Sequence, residues 1–184
     1  MKGLRLTSLL LACVLLLSAF SLCAYAETVT VDFIPTIKNG TIYGISLKTP
    51  QNVFRSFYTG KSVEIFDKDG TRLDPSSTTY MGTGFTVKVD GRALYTVVVM
   101  GDFDGDGELT ARDYLLTKRT CMGTYYANSL ARQAAGADAK GDVRPINYIK
   151  VKRAYFGTYE INKDYSCDPY DPTNGENGWS DNWV

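Results

Sequence analysis

Short extended segments separated by turn signals make up the first hundred residues of the chain. Each segment alternates apolar and polar positions, or is rich in β-branched and aromatic residues, over a length typical of a strand. Pro50 fits the first turn of a short helix that Gly60 ends. Asn or Asp followed by Gly, the pair that tight turns favour, occurs at Asn39-Gly40, Asp69-Gly70 and Asp90-Gly91. The predicted strands are residues 28–33, 41–45, 62–67, 84–90 and 93–100.

Beyond residue 100 the pattern changes to that of two loops, each followed by a helix. Shifting residues 102–123 along the chain by 34 positions aligns them with residues 136–157 without a gap. We interpret this as an internal duplication, with residues 124–135 forming a short connecting helix. The aligned identities are Asp104 with Asp138, Gly107 with Gly141, Tyr114 with Tyr148, Lys118 with Lys152, Arg119 with Arg153 and Gly123 with Gly157.

This change of pattern predicts the fold class and the domain boundaries. We expect an α+β protein in which a small N-terminal sheet with one helix precedes an all-α pair of loop and helix repeats. The sheet module would span residues 27–100 and the repeats residues 101–160. Residues 161–184, where acidic side chains alternate with Pro, Asn, Gly and Ser, predict an acidic polar tail.

The amino terminus has the pattern of a secretion signal. Lys2 and Arg5 precede an uninterrupted apolar run over residues 9–17, and Ala24-Tyr25-Ala26 supplies the small residues of a cleavage site. The run is too short to span a bilayer comfortably. We therefore predict that residues 1–26 are a signal peptide and that the protein is secreted, without a membrane span.

Composition excludes several kinds of chemistry. Lys and Arg together number 20, as do Asp and Glu, so no basic excess exists to bind nucleic acid. The chain contains no histidine, which excludes Ser-His-Asp and Cys-His catalytic systems and every zinc site with a histidine ligand. Without the repeats, only about 75 residues remain, fewer than a substrate-binding cleft normally needs. We therefore expect that the protein is not an enzyme.

The first loop meets the requirements of a twelve-residue calcium site. Such a loop needs oxygen ligands at positions 1, 3 and 5, a glycine at 6, a backbone carbonyl at 7 and a carboxylate at 12. A hard dication gives up its water only for several hard oxygens, which alternate residues of a tight loop can all direct inward. We predict one tight calcium site in this loop. The matching residues are Asp102, Asp104, Asp106, Gly107, Glu108 and Asp113.

The second loop has lost two of these ligands. Gly136 stands at its first position and Lys140 at its fifth. Asp138, the carbonyl of Asp142 and Asn147 remain as candidate ligands. The loop either binds calcium weakly after rearrangement, or holds no metal while the Lys140 ammonium interacts with Asp138 and nearby carbonyls. We favour the second interpretation, because a tethered cation can satisfy the same oxygens.

Four features of the repeat segment form one pattern: the duplicated calcium loop and helix, the Ala134-Ala135 pair before the second loop, the Lys-Arg pair late in each helix and the terminal glycine. With this pattern the segment resembles a type I dockerin. The resemblance covers residues 101–160 and implies docking on a cohesin domain of a scaffold that assembles secreted polysaccharide-degrading enzymes. Residues 27–100 look like a small β-rich module often found ahead of dockerins in secreted clostridial proteins. Carried over, the cohesin contacts fall on Ala111, Arg112, Lys118 and Arg119 in the first copy and on Pro145, Ile146, Lys152 and Arg153 in the second.

The resemblance and the residues together predict a secreted, calcium-dependent protein that binds a cohesin-type partner, with polysaccharide nearby. Leu115 and its neighbours would form the apolar centre of the contact. Two alternatives remain: a small glycoside hydrolase that uses two carboxylates, and a carbohydrate-binding or cell-surface module whose dockerin-like part is structural. We also expect Cys121 and Cys167 to form a disulfide, because export favours oxidation.

Overall fold

Five short strands form the sheet of this protein, whose computed structural model describes residues 35–137 and 140–161. In chain order the strands are β1 Thr36–Lys38, β2 Thr41–Tyr43, β3 Val63–Phe66, β4 Thr86–Val89 and β5 Ala93–Val97. Their order across the sheet is β1-β2-β5-β4-β3. β2 and β5 run parallel and every other neighbouring pair is antiparallel, so the sheet is mixed.

Two hairpins of this sheet use the predicted turn dipeptides. Asn39 and Gly40, with φ of 49° and 78°, join β1 to β2. Asp90 and Gly91, with φ of 51° and 68°, join β4 to β5. Positive φ at both central residues gives a turn whose twist matches that of the flanking strands. The strand predicted at residues 28–33 lies outside the described residues.

Four helices occur in the described part of the chain. They are α1 Gln51–Ser56, α2 Ala111–Cys121, α3 Ser129–Ala134 and α4 Pro145–Tyr155. The Thr110 hydroxyl accepts a hydrogen bond from the Arg112 N–H at the start of α2, and the Asn128 side chain accepts one from the Ala131 N–H at the start of α3. No helix among these residues is both long enough and apolar enough to cross a bilayer.

The two predicted repeats have the same backbone plan. α2 and α4 are both eleven residues long. The loop glycines Gly107 and Gly141 have φ of 81° and 80°, and the glycines that follow the helices, Gly123 and Gly157, both have φ of 69°. These left-handed conformations favour glycine, so the aligned glycines set the turn of each loop and end each helix.

The core extends from the sheet onto the helices through α3. Ala134 packs with Tyr43, Val98 and Met100, and the Tyr43 hydroxyl donates a hydrogen bond to Gln133 Oε1 at 2.9 Å. On another part of α3, Ala131 belongs to a second buried cluster. Its other buried members are Phe103, Ala127 and Ala135, with Leu116 of α2 and Val143 before α4 packed against them.

The predicted fold class is wrong, because the helices beyond residue 100 are not a separate all-α pair. They share a core with a five-stranded mixed sheet, and all described residues belong to one compact unit. Backbone hydrogen bonds of 2.8 Å also join the Lys48 N–H to the Gly107 carbonyl and the Gly101 N–H to the Ala134 carbonyl. Hydrophobic periodicity indicates the type of each element but not which faces meet, and short helices need another layer to bury their apolar side.

Further sequence predictions fall on residues that the structure does not describe. The predicted signal peptide at residues 1–26 is one of them, and the predicted tail lies outside the described residues from residue 162 onward. Cys167 also lies there, so the predicted disulfide stays a prediction. Its other member, Cys121, is half-buried at the end of α2.

Candidate functional site

Three carboxylates converge in the loop between β5 and α2. Asp102, Asp104 and Asp106 each offer one oxygen, and these oxygens lie within 4.8 Å of one another. Asp102 is buried, Asp104 is half-buried and Asp106 is exposed. The group could hold a metal ion, as the spacing of the first loop predicts.

Asp102 is the most deeply buried of these three carboxylates. Its Oδ1 accepts hydrogen bonds from the N–H groups of Gly105 at 2.8 Å and Asp106 at 3.0 Å. Its Oδ2 accepts one from the Thr83 N–H at 2.7 Å. Burial raises the pKa of Asp102 to about 7, although the N–H groups of Thr83 and Gly105 oppose the rise by favouring the charged carboxylate.

Asp104 supplies an oxygen that lacks a partner. The residue as a whole is half-buried, but its side chain is only 9% exposed, and its Oδ2 forms an ion pair with Arg112 Nε at 3.1 Å. Its Oδ1 is buried and has no hydrogen-bond partner among the described residues. Burial and the nearby carboxylates of Asp113 and Asp106 raise the pKa of Asp104. A buried carboxylate oxygen without a donor is costly, and a bound cation would satisfy it, so the residues fit a metal site.

Asp113 and Glu108 lie beside the three carboxylates but do not belong to that group. Asp113 is buried at the start of α2, where its Oδ2 accepts hydrogen bonds from the N–H and the hydroxyl of Thr110 at 2.7 and 2.9 Å. Its Oδ1 accepts from the N–H groups of Phe103 at 2.9 Å and Asp104 at 3.2 Å. The side chain of Glu108 forms an ion pair with Lys48 at 3.4 Å. Asp113 therefore closes the loop onto the helix through its hydrogen bonds.

Residues of the sheet module, which the sequence does not predict as part of the site, also contact the loop. Besides Thr83, the Lys68 ammonium donates a hydrogen bond to the Asp104 carbonyl at 2.7 Å. Lys48 contributes its backbone N–H as well as its ammonium. The nearest sequence signal is the Gly82-Thr83-Gly84 turn, whose role is visible only once the chain is folded.

The second loop is closed without carboxylates at its first and last positions. Asn147 is buried, and its Nδ2 donates a hydrogen bond to the Gly136 carbonyl at 2.6 Å. Its Oδ1 accepts from the Arg144 N–H at 2.7 Å. Lys140 is exposed, and Asp138 lies outside the described residues, so the predicted contact between them is not described. The amide of Asn147 thus joins the two ends of the loop directly.

Two matching stripes of exposed side chains follow α2 and α4. Leu115 and Ile149, which the duplication aligns, are 46% and 42% exposed. Met122 and Phe156, aligned in the same way, are 64% and 60% exposed. Lys118 and Lys152 stand between the apolar residues of each stripe, since positions three and four apart share one face of a helix.

The predicted partner residues differ in their surroundings. Lys118 Nζ and Lys152 Nζ lie 5.9 and 6.0 Å from the centre of the same ring, that of Tyr148. Arg119 instead lies over the ring of Tyr125, at 5.6 Å. Arg153 is half-buried and donates a hydrogen bond to the Thr158 carbonyl at 3.2 Å. The structure therefore places the two lysines beside one ring, whereas the two arginines contact different residues.

The remaining predicted contacts lie at the helix starts. Ala111 is the first residue of α2 and is half-buried. Arg112 follows it, with 74% of its side chain exposed despite its ion pair with Asp104. Pro145 and Ile146 begin α4 and are exposed. In the first copy, the loop of the three carboxylates and the predicted contact surface therefore meet at Arg112.

A groove of about 450 Å³ on the sheet module is a second candidate site. Tyr58 and Tyr95 line it, together with two cations, Lys61 and Arg92, and one carboxylate, Asp90. Neither Lys61 nor Arg92 forms an ion pair with another residue of the described part of the chain. Aromatic rings beside unpaired cations can contact the apolar face and the acidic groups of a small ligand.

Comparison of the chain with models of known protein families, with curated proteins and with solved structures finds no match.

Proposed function

We propose that this protein is a secreted module that docks on a cohesin-type domain in a calcium-dependent way and does not itself catalyse a reaction. The observation that carries the proposal is the pair of matching stripes on α2 and α4. Large apolar side chains with similar exposure at aligned positions, each stripe with a lysine at its middle, are expected of a recognition surface. Its association with extracellular polysaccharide degradation follows from the dockerin resemblance.

The proposed metal is calcium, bound at one tight site in the first loop. All three converging groups are carboxylates, and hard oxygen donors are what calcium prefers. The unpartnered Oδ1 of Asp104 supports a cation at this place. The second loop is proposed to hold no tight metal, because Asn147 already joins its ends and Lys140 replaces a carboxylate.

The proposed partner surface combines an apolar centre with positive charge. Leu115 and Ile149 supply apolar area, and Lys118 and Lys152 flank the ring of Tyr148. Such a surface complements a partner with an apolar patch bordered by acidic side chains. The net charge of zero and the local character of this basic patch favour a protein over nucleic acid.

Binding to immobilised cohesin domains, measured in calcium and in chelator, tests the proposal. We expect binding in calcium and its loss in chelator. Leu115→Asp should weaken binding more than tenfold, because it places a charge in the apolar centre. Leu94→Asp is the matched control, since Leu94 is an exposed leucine on β5 of the sheet, and it should leave binding unchanged. Absence of binding to every cohesin tested in calcium would contradict the proposal.

The groove with Tyr58 and Tyr95 favours a second candidate function, that of a carbohydrate-binding module. Calorimetry with neutral and acidic oligosaccharides tests it, because Lys61 and Arg92 should favour the acidic ones. Tyr95→Ala should abolish any such binding. Tyr126→Ala is the control, because Tyr126 is an exposed tyrosine that does not line the groove.

A further inference from the structure

We propose that the calcium site in the first loop is completed by the sheet, through the turn at residues 82–84, so that calcium binding and the stability of the sheet are coupled. The inference rests on the proposed calcium function. Gly82 and Thr83 are positioning residues, which act on the site through the backbone of the loop.

The first observation is the contact between Thr83 and Asp102. The Thr83 N–H donates to Asp102 Oδ2 at 2.7 Å, so one oxygen of a proposed metal ligand is held by the sheet module. Thr83 is itself fixed. Its Oγ1 accepts a hydrogen bond from the Val99 N–H at 3.0 Å and donates one to the Val99 carbonyl at 3.2 Å. Its neighbour Gly84 donates its N–H to the Val97 carbonyl of β5 at 2.9 Å.

The second observation is that the backbone of the turn lies directly against the backbone of the loop. A Cβ atom added to Gly82 would lie 2.4 Å from the Gly105 carbonyl oxygen. A Cβ atom on Gly105 would lie 2.4 Å from the Thr83 carbonyl oxygen, and one on Gly107 would lie 2.7 Å from the Met81 carbonyl oxygen. No side chain fits between the turn and the loop, so a shift of one moves the other.

The third observation is the position of two lysines of the sheet module. Lys68 donates to the Asp104 carbonyl at 2.7 Å, and Lys48 forms an ion pair with Glu108 at 3.4 Å. Both are far from the loop in sequence, and both hold it from the sheet side. Together with the Lys48 N–H on the Gly107 carbonyl, they restrain the loop at its third, sixth and seventh positions.

The matching glycine of the second loop does not meet a neighbouring backbone. A Cβ atom on Gly141, which the duplication aligns with Gly107, would meet nothing within 4 Å. At this aligned position, the close contact therefore occurs only in the loop that keeps its carboxylates.

Coupling follows from these contacts because ligands that bind only the folded loop also stabilise whatever holds that loop in place. Linkage is reciprocal. If calcium stabilises the folded turn by a certain free energy, the folded turn strengthens calcium binding by the same free energy. The turn is hydrogen-bonded to Val97 and Val99, which are buried in the sheet core.

Calorimetry of calcium binding to the full-length Gly82→Ala variant tests the inference. Gly82 does not have a positive φ, so alanine adds no backbone strain there and acts through the contact with Gly105. We expect calcium affinity to fall about tenfold or more, as for other changes to groups that position metal ligands. Gly141→Ala is the control. It strains the second loop but leaves the first untouched, and affinity should stay within about twofold of the wild type.

Amide hydrogen exchange of the wild-type protein, in calcium and in chelator, provides a second measurement that needs no variant to fold. We expect calcium to slow exchange at Thr83, Gly84 and Val99 as well as in the loop. Equal calcium affinity in Gly82→Ala, or protection confined to residues 102–113 and the helices, would overturn the inference while leaving the proposed function intact. A wild-type protein that binds no calcium would instead contradict the proposed function itself.

Discussion

The two loops share one backbone plan and are closed by different chemistry. Gly107 and Gly141 have the same conformation, and both loops lead into helices of eleven residues. In the first loop, buried carboxylates at the first and last positions, Asp102 and Asp113, accept hydrogen bonds from backbone N–H groups. In the second, the Asn147 amide donates to the Gly136 carbonyl. One hydrogen bond between a side-chain amide and a glycine carbonyl therefore closes the second loop, whereas the first loop is closed around two buried carboxylates.

The surroundings of the two loops also differ, because contacts from the sheet module surround the loop that carries more negative charge. The sheet turn and two lysines hold the first loop, whose charge is costly without counter-charges. The second loop, with Lys140 in place of a carboxylate, has open space beside Gly141. The loop that keeps its carboxylates is thus also the loop that Thr83, Lys68 and Lys48 stabilise without a bound ion.

The largest expected difference between the loops is in metal binding. Asp102→Ala removes the buried carboxylate of the three-carboxylate group and should lower calcium affinity by roughly 100-fold or more, since affinity depends on the number of charged ligands. Calorimetry should find one site in the wild type and none at the same concentrations in the variant. Asp142→Ala, in the second loop, should keep one site of unchanged affinity. Two equivalent sites in the wild type would remove the contrast between the loops.

The next largest effect comes from the aligned glycines. Gly107→Ala should lower the free energy of unfolding by about 3–4 kcal/mol, because left-handed strain adds to a clash with the Met81 carbonyl and Tyr80. Gly141→Ala should cost only about 1 kcal/mol, since strain acts there without a clash. Urea unfolding of both variants in calcium measures the difference. Equal losses would show that the close contact of Gly107 with Met81 and Tyr80 does not affect the free energy of unfolding.

The hydrogen bond that closes the second loop gives a smaller effect. Asn147→Asp replaces the Nδ2 donor by an oxygen that faces the Gly136 carbonyl in a buried position, and should cost about 2 kcal/mol. Asn128→Asp is the matched control, because either residue can cap α3, and its effect should stay within about 0.5 kcal/mol. Chemical unfolding of the two variants compares them. A stable Asn147→Asp variant that gains a second calcium site would show that this loop is only one substitution from binding metal.

Local features of the sequence predicted much of the fold. The turn dipeptides at residues 39–40 and 90–91 form hairpin turns, and helices occur near the predicted positions. These features depend on a few neighbouring residues. The fold class was wrong because it depends on which surfaces meet, and Tyr43 and Gln133, which contact each other, are 90 residues apart in the chain. Neither residue carries a sequence signal for that contact.

The candidate site was predictable to the same extent. The spacing of Asp102, Asp104 and Asp106 indicated the convergence of their carboxylates, because a loop ligand set is local in sequence. The contributions of Lys48, Lys68 and Thr83 could not be read from spacing. A lysine in a turn and a threonine between glycines look like ordinary surface residues until the sheet places them against the loop.

The smallest expected difference concerns the basic pairs of the two helices. Lys118 and Arg119 are both exposed, whereas in the second pair only Lys152 is exposed and Arg153 is half-buried against Thr158. The first helix also follows the loop that calcium would hold, so its surface should lose less conformational entropy on binding. Exchanging Lys118 and Arg119 for Ala should therefore weaken cohesin binding about fivefold more than exchanging Lys152 and Arg153, a difference of about 1 kcal/mol. Titration calorimetry with one cohesin compares the two double variants, with circular dichroism to verify that both remain folded. Equal losses would mean that the partner contacts the two stripes alike, through the lysines that share Tyr148.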